Sequence, residues 1–385
     1  MKVLVAHNRY RDAMPSGENT IVIQEMAQLS GAGVEVIPFL RSSDAIPAMS
    51  VREKALLPIS PVYAPQRDLA DALREHRPDI VHLHNPYPLI SPWIVRTAHR
   101  HGVPVVQTVH NYRQVCAPGL FFRDGRICTD CRDRTFPLPA IVHGCYRGSR
   151  AQSAIMATAL AVHRPTWRSV DRFIALTAQI QEHLRGYGVP PANIVVKPNA
   201  VPDPGPPTPL GDGFLYLARL SPEKGLGLLL DAWRRHPDGA LGPLRIAGDG
   251  ELRPEVEAAA AARADVEYLG VLDRDGVHTA LRRSAVVMVV STWHDVLPTV
   301  TIEALAAGRP VLGTALGGIP YLVGDAGWVV RADAGELSAA LPVARAGAAA
   351  LTAAARARYE STFHPQVVTR RLLDVYDDLL SQLRA

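Results

Sequence analysis

The 385 residues, 48% hydrophobic and 20% charged, are enough for two α/β domains whose cores need no covalent staples. The net charge of +4 divides into +8 over residues 1–200 and −4 over the rest. The basic residues are scattered, with no recognition helix or aromatic stripe, which argues against nucleic acid as a partner. No apolar run approaches the roughly 18 residues of a bilayer span and the chain enters a strand at once, so neither a transmembrane helix nor a signal peptide is expected, and a cytoplasmic location is.

The positive first half suits an anionic partner, either a membrane surface met peripherally or a pyrophosphate-linked acceptor, although solvated arginine faces are the commoner cause. VLVAH (Val3 to His7) reads as a buried strand, and the loop after it ends in a helix start capped by Ser16 or Asn19. Ile21, Val22, Met26 and Leu29 then follow helical spacing. Gly17 is thereby placed over the carboxyl end of the first strand, where doubly wound sheets bind ligands, although a plain strand-to-helix turn is the commoner reason for one glycine. VEVIPFL, DIVHLHN and VPVVQTVHN are further strands separated by helix-length segments, the pattern of a parallel sheet with crossover helices. Two of them end in His-Asn, which sets His84 and His110 on the same rim as Gly17.

All four cysteines fall in one window as C-x11-C-x2-C-x13-C: Cys116, Cys128, Cys131 and Cys145. In a reducing cytoplasm this spacing suits a structural tetrahedral zinc, with His143 as a spare ligand; an iron-sulfur cluster or four unrelated thiols are the alternatives. A helix from about Gly148, the strand DRFIALT, a helix over Ala178 to Gly186 and the strand NIVVKPN complete a first domain, 1–200, in which 116–145 is an insertion. Val201 to Gly213, with five prolines and three glycines, reads as a linker.

A second α/β series over 214–364 opens with FLYLARLSPEKG. Arg219 lies at the strand end and Lys224 in the first helical turn, a spacing that brings a planar fork and a point charge onto one diphosphate. LRIAGDG, containing Gly248, and VEYLGVL are further strand ends. AVVMVV (Ala285 to Val290) is a buried strand leading through STWHD into the helix IEALAAG, with Thr299 as cap. Leu297, Pro298, Thr299 and Val300 mark the helix start, whose amides and dipole favour an anion. Asp295 in the turn and Glu303 in the helix are carboxylates for sugar hydroxyls; taken alone, the plainer reading, a turn residue and a solvated helix residue, is favoured. An Ala-rich helix and, over 365–385, an apolar stripe from Val367 to Leu380 end the chain.

Asp295 to Gly308, acid-x7-Glu followed by Ala-x-Ala-x-Gly, resembles the donor-site motif of the family-4 retaining glycosyltransferases, in which Glu is the usual first acid. RLSPEKG is the most specific match to that family. HNRY to SGENT, VHLHNPYPLISP and QTVHNYRQVC resemble a bacterial subgroup with cysteines in its N-terminal domain. The resemblance implies a GT-B fold, two Rossmann-like doubly wound domains facing a central cleft, with the last helix returning to the first domain. It implies transfer of a hexose or amino-hexose from a nucleotide-diphosphate sugar, held by the second domain, to a hydroxyl of a glycan, lipid-linked or small-molecule acceptor on the first. In that family Arg219 and Lys224 would bind the diphosphate, Glu303 the ribose, Asp295 the sugar and His110 the reacting centre, with the donor-base loop near Gly248 and no catalytic metal. A nucleotide-sugar epimerase of the same fold and a non-catalytic sugar-binding protein are the rival readings.

Overall fold

The computed structural model describes residues 1–11, 16–63 and 65–384, so the part of the first loop at 12–15 lies outside it. The chain forms two compact units. One comprises Met1–Phe121, Cys128–Pro198 and the chain from Thr369 on; the other comprises Phe122–Ile127 and Asn199–Val368.

Unit one is built on parallel strands β1 (Lys2–Arg9), β2 (Glu35–Ser42), β3 (Ile80–Leu83) and β4 (Val105–Val109). After the antiparallel hairpin β5 (Phe122–Arg123) and β6 (Arg126–Ile127), which is counted with unit two, the chain adds β7 (Arg172–Ala175) and β8 (Ile194–Val196) to unit one. The sheet order is β2-β1-β3-β4-β7-β8. Val3 to Ala6, Ile80, Val81, Val105 and Val106 are at most 1% exposed, because crossover helices cover both faces of a parallel sheet and its strands become continuous apolar runs. The stretch 41–64, which lacks a readable period, contains a 3₁₀ turn, Ser43–Ala48, and a short helix, Val51–Leu56. The helix Pro365–Arg384 lays its stripe on this unit: Leu372, Val375, Tyr376 and Leu379 pack into one core with Val3, Ile80, Val106 and Ile174.

Unit two repeats the plan with β9 (Phe214–Leu217), β10 (Leu244–Ala247), β11 (Val266–Gly270), β12 (Val286–Val289), β13 (Val311–Thr314) and β14 (Gly327–Val330). Its order is β11-β10-β9-β12-β13-β14, so the sheet reverses direction of growth between β9 and β12. Two helices, Arg253–Ala262 and Arg274–Arg283, lie where the sequence shows no apolar stripe; the first is half alanine and buries Val256, and the second buries Ala280 and Leu281. The expectation that nothing in the chain is apolar and long enough to span a bilayer needs correcting. A window within Ala334–Arg384 meets that test by length and composition. It does so mainly through alanine, and Leu337, Leu341, Ala344 and Ala348 of the helix Ala334–Arg358 are sealed in the unit-two core.

The proline-rich stretch is anchored to this unit by Arg309, which is fully buried. Its guanidinium donates to the carbonyls of Leu281, Thr208, Pro209 and Arg282 and to the Thr208 hydroxyl at 2.8–3.1 Å. No carboxylate takes part, so five oxygens depend on one fork of donors. Arg309→Met is expected to destabilise unit two by about 3–5 kcal/mol, because the oxygens stay buried and lose their donors. Denaturant titration followed by fluorescence would show it, and Arg309→Lys should recover little, since an ammonium cannot reproduce the fork.

Candidate active site

Where a doubly wound sheet reverses its order, helices leave to opposite faces and the loops beyond the carboxyl ends of the two strands diverge into a crevice. In unit two these are the loops after β9 and β12, and they carry the two cations and the acid singled out by spacing. Lys224 Nζ donates to Asp295 Oδ2 at 2.5 Å, and the Ser291 hydroxyl donates to the same oxygen at 3.1 Å. The ammonium also stands 5.4 Å from the centre of the Trp293 ring. Arg219 is held separately, by Glu223 at 2.6 Å and the Ser221 hydroxyl at 3.2 Å, with more than half of its side chain exposed. Lys224 ends a 3₁₀ turn, Pro222–Lys224, and the α-helix begins only at Leu226. It therefore belongs to the loop and not to the first helical turn.

Backbone contacts fix these loops. Gly225 has φ +78, and a Cβ there would stand 1.8 Å from the Val290 carbonyl oxygen; a Cβ on Gly248, φ +132, would stand 1.9 Å from that of Ala218. Only glycine meets both the left-handed backbone and the missing space. The Asp295 backbone is clamped likewise, its carbonyl accepting from the Gly318 amide at 2.7 Å.

The helix Thr299–Ala306 starts beside Asp295 with Pro298 at its cap position and no side-chain cap bond. Thr299 is thus the first helical residue and not the cap, and Leu297 is buried just before it. The amides of Thr299 and Val300, as first-turn groups, have no intrahelical acceptor. Glu303, one turn on, has surroundings different from those of Asp295. It lines a cavity of about 150 Å³ with Thr208, His278, Arg282 and the proline-rich 201–206. Burial raises its carboxyl pKa, against the opposing pull of Arg274. Two cations, helix-start amides and a hydroxyl-seeking carboxylate fit a diphosphate joined to a polyol.

In unit one Gly17 opens the helix Gly17–Gly31, with the Ser16 hydroxyl accepting from the Asn19 amide. The strand-end histidines do converge: His84 Nδ1 lies 3.0 Å from His110 Nε2, and the His7 ring stands edge-on to His84. Burial, then His84 and His7, hold the His110 imidazole well below its usual pKa, so it is neutral. The residues that spacing missed are Glu25, His82 and Lys197, buried beneath these histidines; the one available sign was the i, i+2 pair His82 and His84, which share a strand face.

None of Cys116, Cys128, Cys131 and Cys145 is in a disulfide. Among the described residues, the group of His, Cys, Asp or Glu whose ligand atoms lie within 4.8 Å of one another is Glu25, His82 and His84, not the cysteines. Burial, together with the neighbouring sulfurs of Cys116, Cys145 and Cys128, pushes the Cys131 thiol up to about 11, so the four cysteines that are close in sequence are neighbours in space as well.

Residues 4–200 match the Glycosyl transferase 4-like domain, and residues 211–342 match the Glycosyl transferases group 1 domain. The chain belongs to the GT-B glycosyltransferases of this family type. Relatives of the transferase include D-inositol 3-phosphate glycosyltransferase of Frankia alni, 27% identical, the match covering 80% of each chain. An amylovoran biosynthesis glycosyltransferase of Erwinia amylovora is 28% identical over 43% of this chain, and the match spans less than half, 44%, of that relative's own length. Among solved structures, Anabaena HepE in complex with UDP superposes with a TM-score of 0.65 at 15% identity, covering 98% of this transferase and all of HepE, a likeness of fold.

Proposed function

We propose that this glycosyltransferase moves a hexose or amino-hexose from a nucleoside-diphosphate sugar to a hydroxyl acceptor with retention of anomeric configuration. The observation that carries the donor reading is the cationic crevice of unit two, where Lys224 and Arg219 flank the strands at which the sheet reverses. As the sugar carbon becomes oxocarbenium-like, the departing diphosphate gains negative charge. Lys224, Arg219 and the Thr299 and Val300 amides stabilise that charge electrostatically, the work a divalent ion does elsewhere, so turnover should persist in chelator. Glu303 takes the ribose hydroxyls. Lys224 and Ser291 both bind Asp295 through Oδ2, which leaves Oδ1 for a sugar hydroxyl. No enzymic nucleophile is assigned; the acceptor attacks on the face the diphosphate leaves, and a donor phosphate oxygen takes its proton.

For the acceptor, support comes from a cavity of about 480 Å³ in unit one, within the range of ligand sites. Its floor is apolar, with Ile46, Leu57, Leu89 and Met156 buried. Among the described residues of its lining the charged ones are Arg11, Lys54 and Arg147, with no carboxylate. Apolar walls with cationic edges suit a lipid-linked phosphate, which would place the enzyme peripherally at the inner face of a membrane.

Binding of UDP-, GDP- and dTDP-sugars by calorimetry tests the donor reading. One donor is expected to bind, with affinity falling tenfold or more in Arg219→Ala and in Glu303→Ala, the loss of at least one charge-assisted or polyol hydrogen bond each. If no donor binds and the variants match wild type, the assignment fails. Free nucleotide appearing with an isomerised sugar and no acceptor would instead favour an epimerase.

A further inference from the structure

Unit one gathers metal-ligating side chains in two places, and the surroundings of the two differ. Glu25, His82 and His84 lie close enough for one ion, but Lys197 Nζ already donates to Glu25 at 2.7 Å and the Tyr376 hydroxyl stands 2.6 Å from His82 Nδ1. A metal ion there would be a second buried cation beside the ammonium. The half-buried cysteines are the other place, and the backbone around them is arranged for anionic sulfur.

Two residues tie the four cysteines together. The amides of Phe121, Leu120 and Gly119 donate to the Cys116 sulfur, and the Phe121 carbonyl accepts from the Cys128 amide at 2.8 Å. The Ala140 amide donates to the Cys131 sulfur, and the Ala140 carbonyl accepts from the Cys145 amide at 2.9 Å. Cys128 and Cys131, as C-x2-C, join the Cys116 end to the Cys145 end. Gly119 at φ +79 and Phe121 at φ +50 turn successive amides to one side, a concave set of N–H groups that favours negative charge. Phe121 holds that left-handed backbone because its ring is buried against Tyr112 and His183. A neutral thiol is a weak acceptor that gains little from such amides, whereas a thiolate gains much.

We propose that Cys116, Cys128, Cys131 and Cys145 bind one zinc ion as a structural site of unit one. Four thiolates and a divalent cation leave two negative charges, which the four amides offset together with Arg132, whose guanidinium stands 5.2 Å from the centre of the Phe121 ring. Zinc–sulfur bonds of about 2.3 Å in a tetrahedron set the sulfurs about 3.8 Å apart. The ligand atoms within 4.8 Å of one another are those of the other group, so zinc draws the sulfurs inward on binding. Cys128 and Cys131 move most easily, because their neighbours Thr129, Asp130, Arg132 and Asp133 are exposed. Tyr146 and Arg147, directly after Cys145, line the cavity proposed for the acceptor; on that reading, the ion also fixes one wall of the cavity.

Metal analysis of the full-length protein, purified without added metal, is the test. About one zinc per chain is expected, falling below roughly a tenth of that in the double variant Cys128→Ser, Cys131→Ser. Wild type stripped of metal under reducing conditions and titrated with Co²⁺ should develop sulfur-to-cobalt charge transfer and the visible bands of tetrahedral cobalt, saturating at about one ion per chain. That titration needs no variant, so it decides the matter even if the double variant does not fold. Iron with acid-labile sulfide, zinc retained by the double variant, or no zinc and no cobalt bound by wild type overturns the proposal. In the folded double variant, acceptor KM should rise several-fold while donor binding stays unchanged. Lost zinc with an unchanged KM would remove the cavity from the acceptor site and leave the metal site standing.

Discussion

Lys224→Ala is expected to lower turnover of the glycosyltransferase by roughly 10²–10³, the usual cost of deleting one preorganised group that meets developing charge. The ammonium is aimed by three features: the Asp295 carboxylate at 2.5 Å, the Trp293 ring at 5.4 Å, and the Gly225 turn that admits no Cβ. Lys224→Arg should recover little, since a longer planar cation cannot occupy a point-charge site between a buried carboxylate and a ring. The single variant also leaves Asp295 without its cation, so a lower thermal midpoint will accompany the lost turnover. The double variant Lys224→Ala, Asp295→Asn separates the two effects: stability should return while activity does not. Full activity in the single variant would remove Lys224 from the leaving-group site.

Acid is expected to unfold unit one before unit two. Burial is the leading cause that lowers His7, His163 and His183 to about 4, and it takes His82 and His110 well below their usual value. All five lie in unit one. In the unfolded chain each takes up a proton near pH 6.5, and in the folded chain it does not. Their contribution is therefore complete above about pH 6.5 and is lost as pH falls toward 4. Glu18 acts in the opposite sense, because burial raises it to about 7 and its contribution fades as pH rises from about 4.5 to 7. The balance leaves roughly three to four protons taken up on unfolding near pH 5.5, a slope of about 4–5 kcal/mol per pH unit. Urea midpoints at pH 4.5, 5.5, 6.5 and 7.5 measure it. Trp93 and Trp167 report on unit one, and Trp233, Trp293 and Trp328 on unit two. A unit-one transition that does not move with pH would mean these imidazoles are charged or exposed.

The parallel strands were legible because they are buried on both faces and read as unbroken apolar runs, and each is followed by a turn or helix start. Arg253–Ala262 and Arg274–Arg283 were not, because a helix that buries one or two residues leaves no stripe to count. The residues of the proposed donor site could be singled out through RLSPEKG and the Asp295 to Gly308 pattern, yet their pairing could not. Arg219 and Lys224 appear by spacing to share one anion, whereas each is held by its own acid, Glu223 and Asp295. Lys224 and Asp295 are 71 residues apart, and Glu25 and Lys197 are 172 apart; the topology of a sheet, not local period, brings such pairs together.

The helix Pro365–Arg384 adds a matter of timing. Unit one lacks part of its core, and the hydroxyl that holds His82, until Leu372, Tyr376 and Leu379 arrive. Those residues follow the whole of unit two in the chain. During synthesis unit two has all its parts while unit one still waits for its last, so unit two should be first to reach its native state on the ribosome and the histidine cluster last to close.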